Sequence, residues 1–215
     1  MSQPRRVLQQ SNGGHQLIVM LPGAYMTPED YEQAGFFAAI RQRRLALDMT
    51  AVDLDLTVIS EGTALAAIQT EIIDPARRQG YAKIWLGGIS LGGLLALCHN
   101  ADHPGQVDGL CLLAPYPGSR LTTNAIARAG GLAQWQATAE ELDDPEFRMW
   151  RWLQKPPPDF PVFIGYGRED RFASGMKQIA DCFPAKARHA IPGQHEWPVW
   201  QLLWKQFLDS GCLST

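Results

Sequence analysis

Ser90 lies in Gly88-Ile89-Ser90-Leu91-Gly92, directly after the apolar run Ile84-Trp85-Leu86 and directly before an apolar stretch of helical character over residues 91–98. A strand that reverses into a helix within about one residue forces a strained backbone on the residue at the bend. Small residues two before and two after it let the strand and helix backbones approach closely. The chain goes beyond that minimum, with Gly87, Gly88, Gly92 and Gly93 around the serine. The product of the strain is a hydroxyl held clear of its own backbone. Because the chain has 20 glycines, the bare pattern is weak, and the strand–turn–helix context is what raises it. The competing reading is a glycine-rich strand end packed on a helix, with serine as a small filler.

A serine hydroxyl attacks a carbonyl only when a base takes its proton. Five histidines compete for that role. His15 precedes the first strand, His99 lies well along the helix after Ser90, and His103 follows that helix; all three belong at the wrong end. His189 falls inside the last predicted strand, where a packed or surface imidazole is expected. His195 follows that strand in Pro192-Gly193-Gln194-His195-Glu196-Trp197, so it emerges at the same edge as Ser90. The alternative for His195 is a solvent-exposed loop histidine. A histidine base needs a carboxylate to fix its tautomer and stabilise the imidazolium. Asp170, in Gly167-Arg168-Glu169-Asp170 after another strand, fills that place, with Glu169 as the runner-up acid; a turn-forming acid is the structural alternative for either. Acyl transfer also requires N–H donors for the developing oxyanion. The Leu91 amide at the helix start is one candidate. The Ala24 amide beyond Pro22-Gly23 is the other, with Tyr25 as a further donor from the same turn.

The elements that must hold these residues are legible as an alternation of strands and helices. Residues 16–21 form a continuous apolar run ended by Pro22-Gly23, a buried strand. Thr27-Pro28-Glu29-Asp30 starts a helix expected to run to about Leu47. A second strand is expected over residues 51–59, a turn at 60–62, and an amphipathic helix over 63–79 stopped by Gly80. Strands follow at 84–86, 108–114, 161–166 and 187–191, and a closing helix at 199–208. This rhythm predicts an α/β fold, a three-layer α/β/α sandwich on a mostly parallel sheet, in one domain over residues 1–215. Ligands on such sheets bind beyond the carboxyl ends of the strands. One stretch breaks the rhythm. Residues 118–158 are helical in character and hold Trp135, Trp150 and Trp152, too long for a plain crossover. A helical insertion or small lid is expected there. Its tryptophans and Met149 would form either an apolar wall to the site or the insertion's own miniature core.

Gly88-Ile89-Ser90-Leu91-Gly92, Asp170 after a strand and His195 before the last helix, in that chain order, together resemble the α/β-hydrolase superfamily. The resemblance implies ester, thioester or amide hydrolysis at Ser90, with water as the only co-reactant and no cofactor. Pro192-Gly193-Gln194-His195-Glu196-Trp197 followed by Trp200 resembles the small carboxylesterase branch with esterase D-type enzymes. Many members carry His-Gly where this chain has Pro22-Gly23, a difference that bears on the details of the oxyanion donors.

The bulk properties narrow the setting. A net charge of −3 gives no electrostatic case for nucleic acid. Arg41, Arg43, Arg44, Arg77 and Arg78 fall late in predicted helices, where cations suit the helix end. The start has basic residues but no apolar segment behind them, so no signal peptide is expected, and no run is long enough to span a membrane. Cys98, Cys111, Cys182 and Cys212 lack metal-ligand spacing and are expected as reduced thiols of a cytoplasmic protein without a metal. The expected partner is a small acyl ester or thioester. An acyltransferase built on the same three residues, and a catalytically silent binding protein on the same fold, are the alternatives.

Overall fold

The structure is a computed structural model, and it describes residues 6–54 and 62–213. Seven strands form one sheet: β1 (Val7–Gln10), β2 (Gln16–Leu21), β3 (Leu47–Val52), β4 (Lys83–Ile89), β5 (Gly109–Leu113), β6 (Val162–Gly167) and β7 (Arg188–Ile191). Their order is β1-β3-β2-β4-β5-β6-β7, parallel throughout except for β1, which runs antiparallel to β3. The central strands are apolar without alternation because helices cover both faces. Each of β3, β5 and β6 is buried along its whole length.

The helices are α1 (Pro28–Gln33), α2 (Phe36–Gln42), α3 (Ala64–Ala67), α4 (Asp74–Arg78), α5 (Leu91–Asp102), α6 (Arg120–Arg128), α7 (Pro145–Leu153), α8 (Ala173–Asp181) and α9 (Trp197–Asp209). The pleat of β4 separates the two covering layers. Trp85 packs its ring on Phe207 of α9, 5.3 Å between centroids. Gly88, an odd number of residues away, abuts Gly92 of α5. So α9 and α5 lie on opposite faces. On the α9 side, Trp204 Nε1 donates to the Phe36 carbonyl at 3.1 Å and joins α9 to α2.

This topology positions the site. The connection from β2 leads to β3 on one side, and that from β4 leads to β5 on the other. The strand order therefore reverses between β2 and β4, the place where such sheets leave a crevice at their carboxyl ends. In register, Leu21 faces Gly88, Ile89 faces Leu113 and Gly167 faces Ile191, so the exits of β2, β4, β6 and β7 share one rim.

Several sequence expectations need correction. The helix expected to reach Leu47 breaks at Gly35, which has φ 80°, and its second half ends at Gln42, just before Arg44 turns left-handed at φ 54°. The strand expected at residue 51 begins at Leu47. Asp48 obscured it, an acid only 3% exposed inside that strand. Burial alone would raise its carboxyl; hydrogen bonds from Tyr81 Oη, the Asn12 and Gly14 amides and Ser11 Oγ outweigh burial and lower it. The strand ends at Val52, so Asp53 and Leu54 lie beyond it, contrary to expectation; the other expected strand positions and most of the turn after them fall in residues 55–61, outside the described residues. The helix expected over 63–79 is interrupted: Pro75 has no N–H to donate four residues back, and Ile68–Ile73 ahead of it takes π-helical spacing. Strand β1 is an addition, a short edge strand without a distinctive pattern.

Between β5 and β6 the chain forms α6, a 3-10 turn (Glu141–Asp143) and α7. Trp135, Met149 and Trp150 pack inward, whereas Leu121 is exposed and Trp152 only partly buried. Met149 and Trp150 are fully buried, Trp150 Nε1 donates to the Pro117 carbonyl at 3.1 Å, and Trp135 stacks on Phe147. These residues are continuous with the core that surrounds the sheet. Trp152 packs edge-on against Phe160.

Candidate active site

Ser90 sits at the exit of β4 with φ 52° and ψ −113°, a conformation that costs about 1–3 kcal/mol for a residue with a Cβ. Three hydrogen bonds hold it there. Its N–H donates to the Leu113 carbonyl at 3.0 Å, and its own carbonyl accepts from the Leu94 and Tyr116 amides at 3.1 and 2.9 Å. The flanking glycines are obligatory for backbone approach. A Cβ on Gly88 would stand 2.4 Å from the Gly92 carbonyl carbon, and one on Gly92 would stand 2.2 Å from the Leu21 carbonyl oxygen.

His195 reaches the same point from the loop after β7. That loop is tied to the loop after β6 by backbone bonds: Arg168 N–H to the Ile191 carbonyl at 2.8 Å and Glu169 N–H to the Gly193 carbonyl at 3.1 Å. Glu169 Oε2 accepts from the Gly193 amide at 2.5 Å. The runner-up acid is thus a brace for the histidine loop. Asp170 is the carboxylate beside the imidazole. Its Oδ2 lies 2.5 Å from His195 Nδ1, and its Oδ1 accepts from the Phe172 amide at 2.8 Å. The Asp170 side chain is fully buried, while that of His195 is 16% exposed.

His195 Nε2 lies 3.0 Å from Ser90 Oγ. A carboxylate only accepts, so Nδ1 carries the proton toward Asp170 and Nε2 is left to accept from the serine hydroxyl. Phe172 and Trp200 pack edge-on to the imidazole, with ring centroids 5.6 and 5.1 Å away. The sequence singles out Trp200 only through a resemblance and Phe172 not at all, because ring contacts across loops leave no spacing signal. Sequence reasoning also missed the Glu169 brace, for which two glycines were the clue: Gly193 has φ 122°, and a Cβ on Gly167 would stand 2.1 Å from the Gly193 carbonyl oxygen.

The other histidines are elsewhere. His15 gives its carbonyl to Ala82 at the opposite rim, His99 Nε2 meets Gln69 Oε1 at 2.9 Å, His103 lies beside His99, and His189 stacks on Phe163.

The candidate oxyanion donors follow the ends of β2 and β4, which are neighbours in the sheet. Tyr31 Oη donates to the Leu21 carbonyl at 2.6 Å and anchors the end of β2. Beyond it, Gly23–Met26 closes a turn through a Met26 amide bond to the Gly23 carbonyl at 3.1 Å, with Tyr25 at φ 64° and 88% exposed. A Cβ on Gly23 would lie 3.4 Å from the Ile89 carbonyl oxygen, so this turn stands against the Ser90 bend. Among the described residues, neither the Ala24 nor the Leu91 amide has a backbone acceptor. The first amide of α5 region to find one is Leu94, on the Ser90 carbonyl. Amides left open at a helix start suit a developing negative charge.

A strained serine at the reversal point of a doubly wound sheet, in line with an imidazole and a buried carboxylate, defines a class of α/β proteins rather than one activity. The chain belongs to the alpha/beta hydrolase family, whose model matches residues 18–209. Solved structures similar to it include a monoacylglycerol lipase from Paleococcus ferrophilus, at 14% identity and TM-score 0.63, with 99% of each chain covered. Fluorophosphonate-binding serine hydrolase F from Staphylococcus aureus is similar at 11% identity and TM-score 0.66, over 98% of this chain and 99% of that one. At those identities the likeness is one of fold. A curated relative, 2-succinyl-6-hydroxy-2,4-cyclohexadiene-1-carboxylate synthase from Enterobacter sp. (strain 638), is 42% identical over 53 residues, 25% of this chain and 20% of that protein. The match spans only about a fifth of that relative. Among the described residues, no helix is long and apolar enough to cross a membrane.

Proposed function

We propose that the protein is a serine hydrolase that cleaves a small carboxylic ester or thioester through an acyl-enzyme on Ser90. The observation that carries this reading is the continuous line from Ser90 Oγ to His195 Nε2 at 3.0 Å and from His195 Nδ1 to Asp170 Oδ2 at 2.5 Å. In the proposed reaction the hydroxyl attacks the carbonyl carbon as His195 takes its proton. The Leu91 and Ala24 amides receive the oxyanion, with the Tyr25 amide as a further donor. His195 then protonates the leaving alcohol or thiol. Water, deprotonated by the same imidazole, attacks the acyl-enzyme and frees the acid. Asp170 holds the tautomer throughout. The four free cysteines support a reducing, cytoplasmic setting.

Labelling with a fluorophosphonate tests the nucleophile: the protein is expected to label at Ser90, and Ser90→Ala is expected to abolish it. A wild type that does not label favours a silent binding protein on this fold. The short match to a protein named as a synthase favours a second reading, in which the same three residues serve a reaction other than hydrolysis. Labelling at Ser90 with no turnover of any ester or thioester selects that reading. Product formed from added alcohol, amine or thiol in preference to water selects an acyltransferase.

A further inference from the structure

A cavity of about 600 Å³ runs along α5, and nothing in the proposed reaction uses it. Its near end is Leu91, the residue next to Ser90. Leu94, Leu95 and Cys98 continue its floor at the spacing of one helix face, and Leu65 of α3 forms the opposite wall. At 1.5 Å per residue this apolar floor extends about 10 Å from Leu91 to Cys98. The far end changes character. Asp102 is there, but it is neutralised by Arg148, whose Nε and Nη2 donate to the two carboxylate oxygens at 2.6 and 2.7 Å. His103, Asp143, Asp144 and Glu146 line the same end; Asp144 Oδ1 accepts from the Glu146 amide at 2.8 Å and Glu146 Oε2 from the Ser119 amide and Thr122 Oγ1, both at 2.7 Å, so the last two carboxylates are held by neutral donors and keep their charge. The volume is that of a small-molecule site.

We propose that this cavity is the acyl-chain site: an unbranched aliphatic acyl group on Ser90 lies along the Leu91–Leu94–Leu95–Cys98 face, and the acidic far end rejects chains that terminate in a carboxylate. The proposal rests on Ser90 being the nucleophile. An acyl carbon bonded to Ser90 Oγ, with its oxyanion at the Leu91 amide, stands over the first turn of α5. The chain attached to it then has an apolar floor to follow. Neutral chains gain burial at each methylene, whereas a terminal carboxylate would meet Asp143, Asp144 and Glu146.

Two measurements separate this proposal from the reading it rests on. In the first, kcat/KM is measured for p-nitrophenyl acetate, butyrate, hexanoate and octanoate. It is expected to rise by up to about fourfold per added methylene, the transfer free energy of one buried CH₂. Leu65→Trp and Ala66→Phe place bulk into the cavity from α3, outside the reacting groups. They are expected to lower kcat/KM for hexanoate and octanoate at least about tenfold and so flatten the series, with acetate turnover falling least. A p-nitrophenyl ester of the same length ending in a carboxylate is expected to be at least about tenfold poorer than the neutral one, and Asp143→Asn to narrow that gap. In the second, Ser90→Ala protein is titrated calorimetrically with octanol, octylamine and octanoate. Binding is expected for the first two, weaker for octanoate, and lost with Leu65→Trp. Alkyl binding that Leu65→Trp abolishes, with no ester turnover by the wild type, would overturn the hydrolase reading and the acyl-chain role with it, leaving an alkyl-binding cavity alone. Turnover with a chain-length series that Leu65→Trp does not alter would overturn the cavity assignment and leave Ser90 standing.

Discussion

At the scale of single residues, two adjacent acids do different work. Asp170 is buried with one oxygen on the His195 imidazole and the other on a backbone amide. Glu169 is exposed and spends its carboxylate on the Gly193 amide. Asp170→Asn keeps the shape but offers an N–H where the imidazole needs an acceptor, so the wrong tautomer is favoured. It is expected to lower kcat by about 10⁴-fold with little loss of folding. Glu169→Gln keeps a neutral acceptor for the same amide. It is expected to hold kcat within about tenfold and to cost about 1 kcal/mol of stability, the scale of a weakened hydrogen bond. Steady-state kinetics and urea denaturation on the two variants check this; equal losses of kcat would remove the distinction between acid and brace. Asp170 was legible in the sequence because it follows a strand and precedes His195 in the chain. The brace was not, because it depends on two loops meeting, and their contact is set by the β6–β7 register rather than by either segment.

At the scale of the element, the bend between β4 and α5 stores strain that the serine itself creates. Its φ of 52° lies where a Cβ is unfavourable, and the three backbone bonds around it prevent relaxation. Ser90→Gly is therefore expected to stabilise the fold by about 1 kcal/mol while abolishing turnover, whereas Ser90→Ala, which keeps the Cβ, does not gain this. The increment is the small end of the strain range because glycine also gains freedom in the unfolded chain. Paired thermal melts of the two inactive variants isolate the effect, since both lack the hydroxyl; identical midpoints would mean the bend is not strained. The bend was readable because its glycines encode a steric demand local to five residues. The helix ending at Gln42 and the strand starting at Leu47 were not, since Arg44 takes a left-handed turn without a glycine and Asp48 interrupts the apolar pattern. What decides Asp48 is tertiary: donors from residues 11–14 and Tyr81 converge on it, and no window around residue 48 contains them.

At the scale of the whole molecule, acid sensitivity should originate away from the reacting groups. His99, on α5, is fully buried, and its imidazole is lowered from 6.5 to about 4, by burial first and by neighbouring His103 second. Asp102 and Asp74 face it and act in the opposite sense, but they do not outweigh burial. Its Nε2 meets Gln69 Oε1 from the π-helical segment, and its Nδ1 is buried without a hydrogen-bond partner among the described residues. The folded protein thus holds His99 neutral at pH values where the unfolded chain protonates it. Between about pH 6.5 and pH 4 the unfolded state binds more protons, so stability falls as pH falls through that window and levels off below it. A fall from 6.5 to about 4 corresponds to about 3 kcal/mol for this one side chain. Because α5 also carries Leu91 at its start and packs against α7, that loss falls on the element that supports Ser90. Urea denaturation between pH 7.5 and pH 4 is expected to show the wild type losing about 3 kcal/mol more than His99→Gln, which offers Gln69 a neutral amide and does not titrate. Parallel stability curves for the two proteins would place the acid-sensitive group elsewhere.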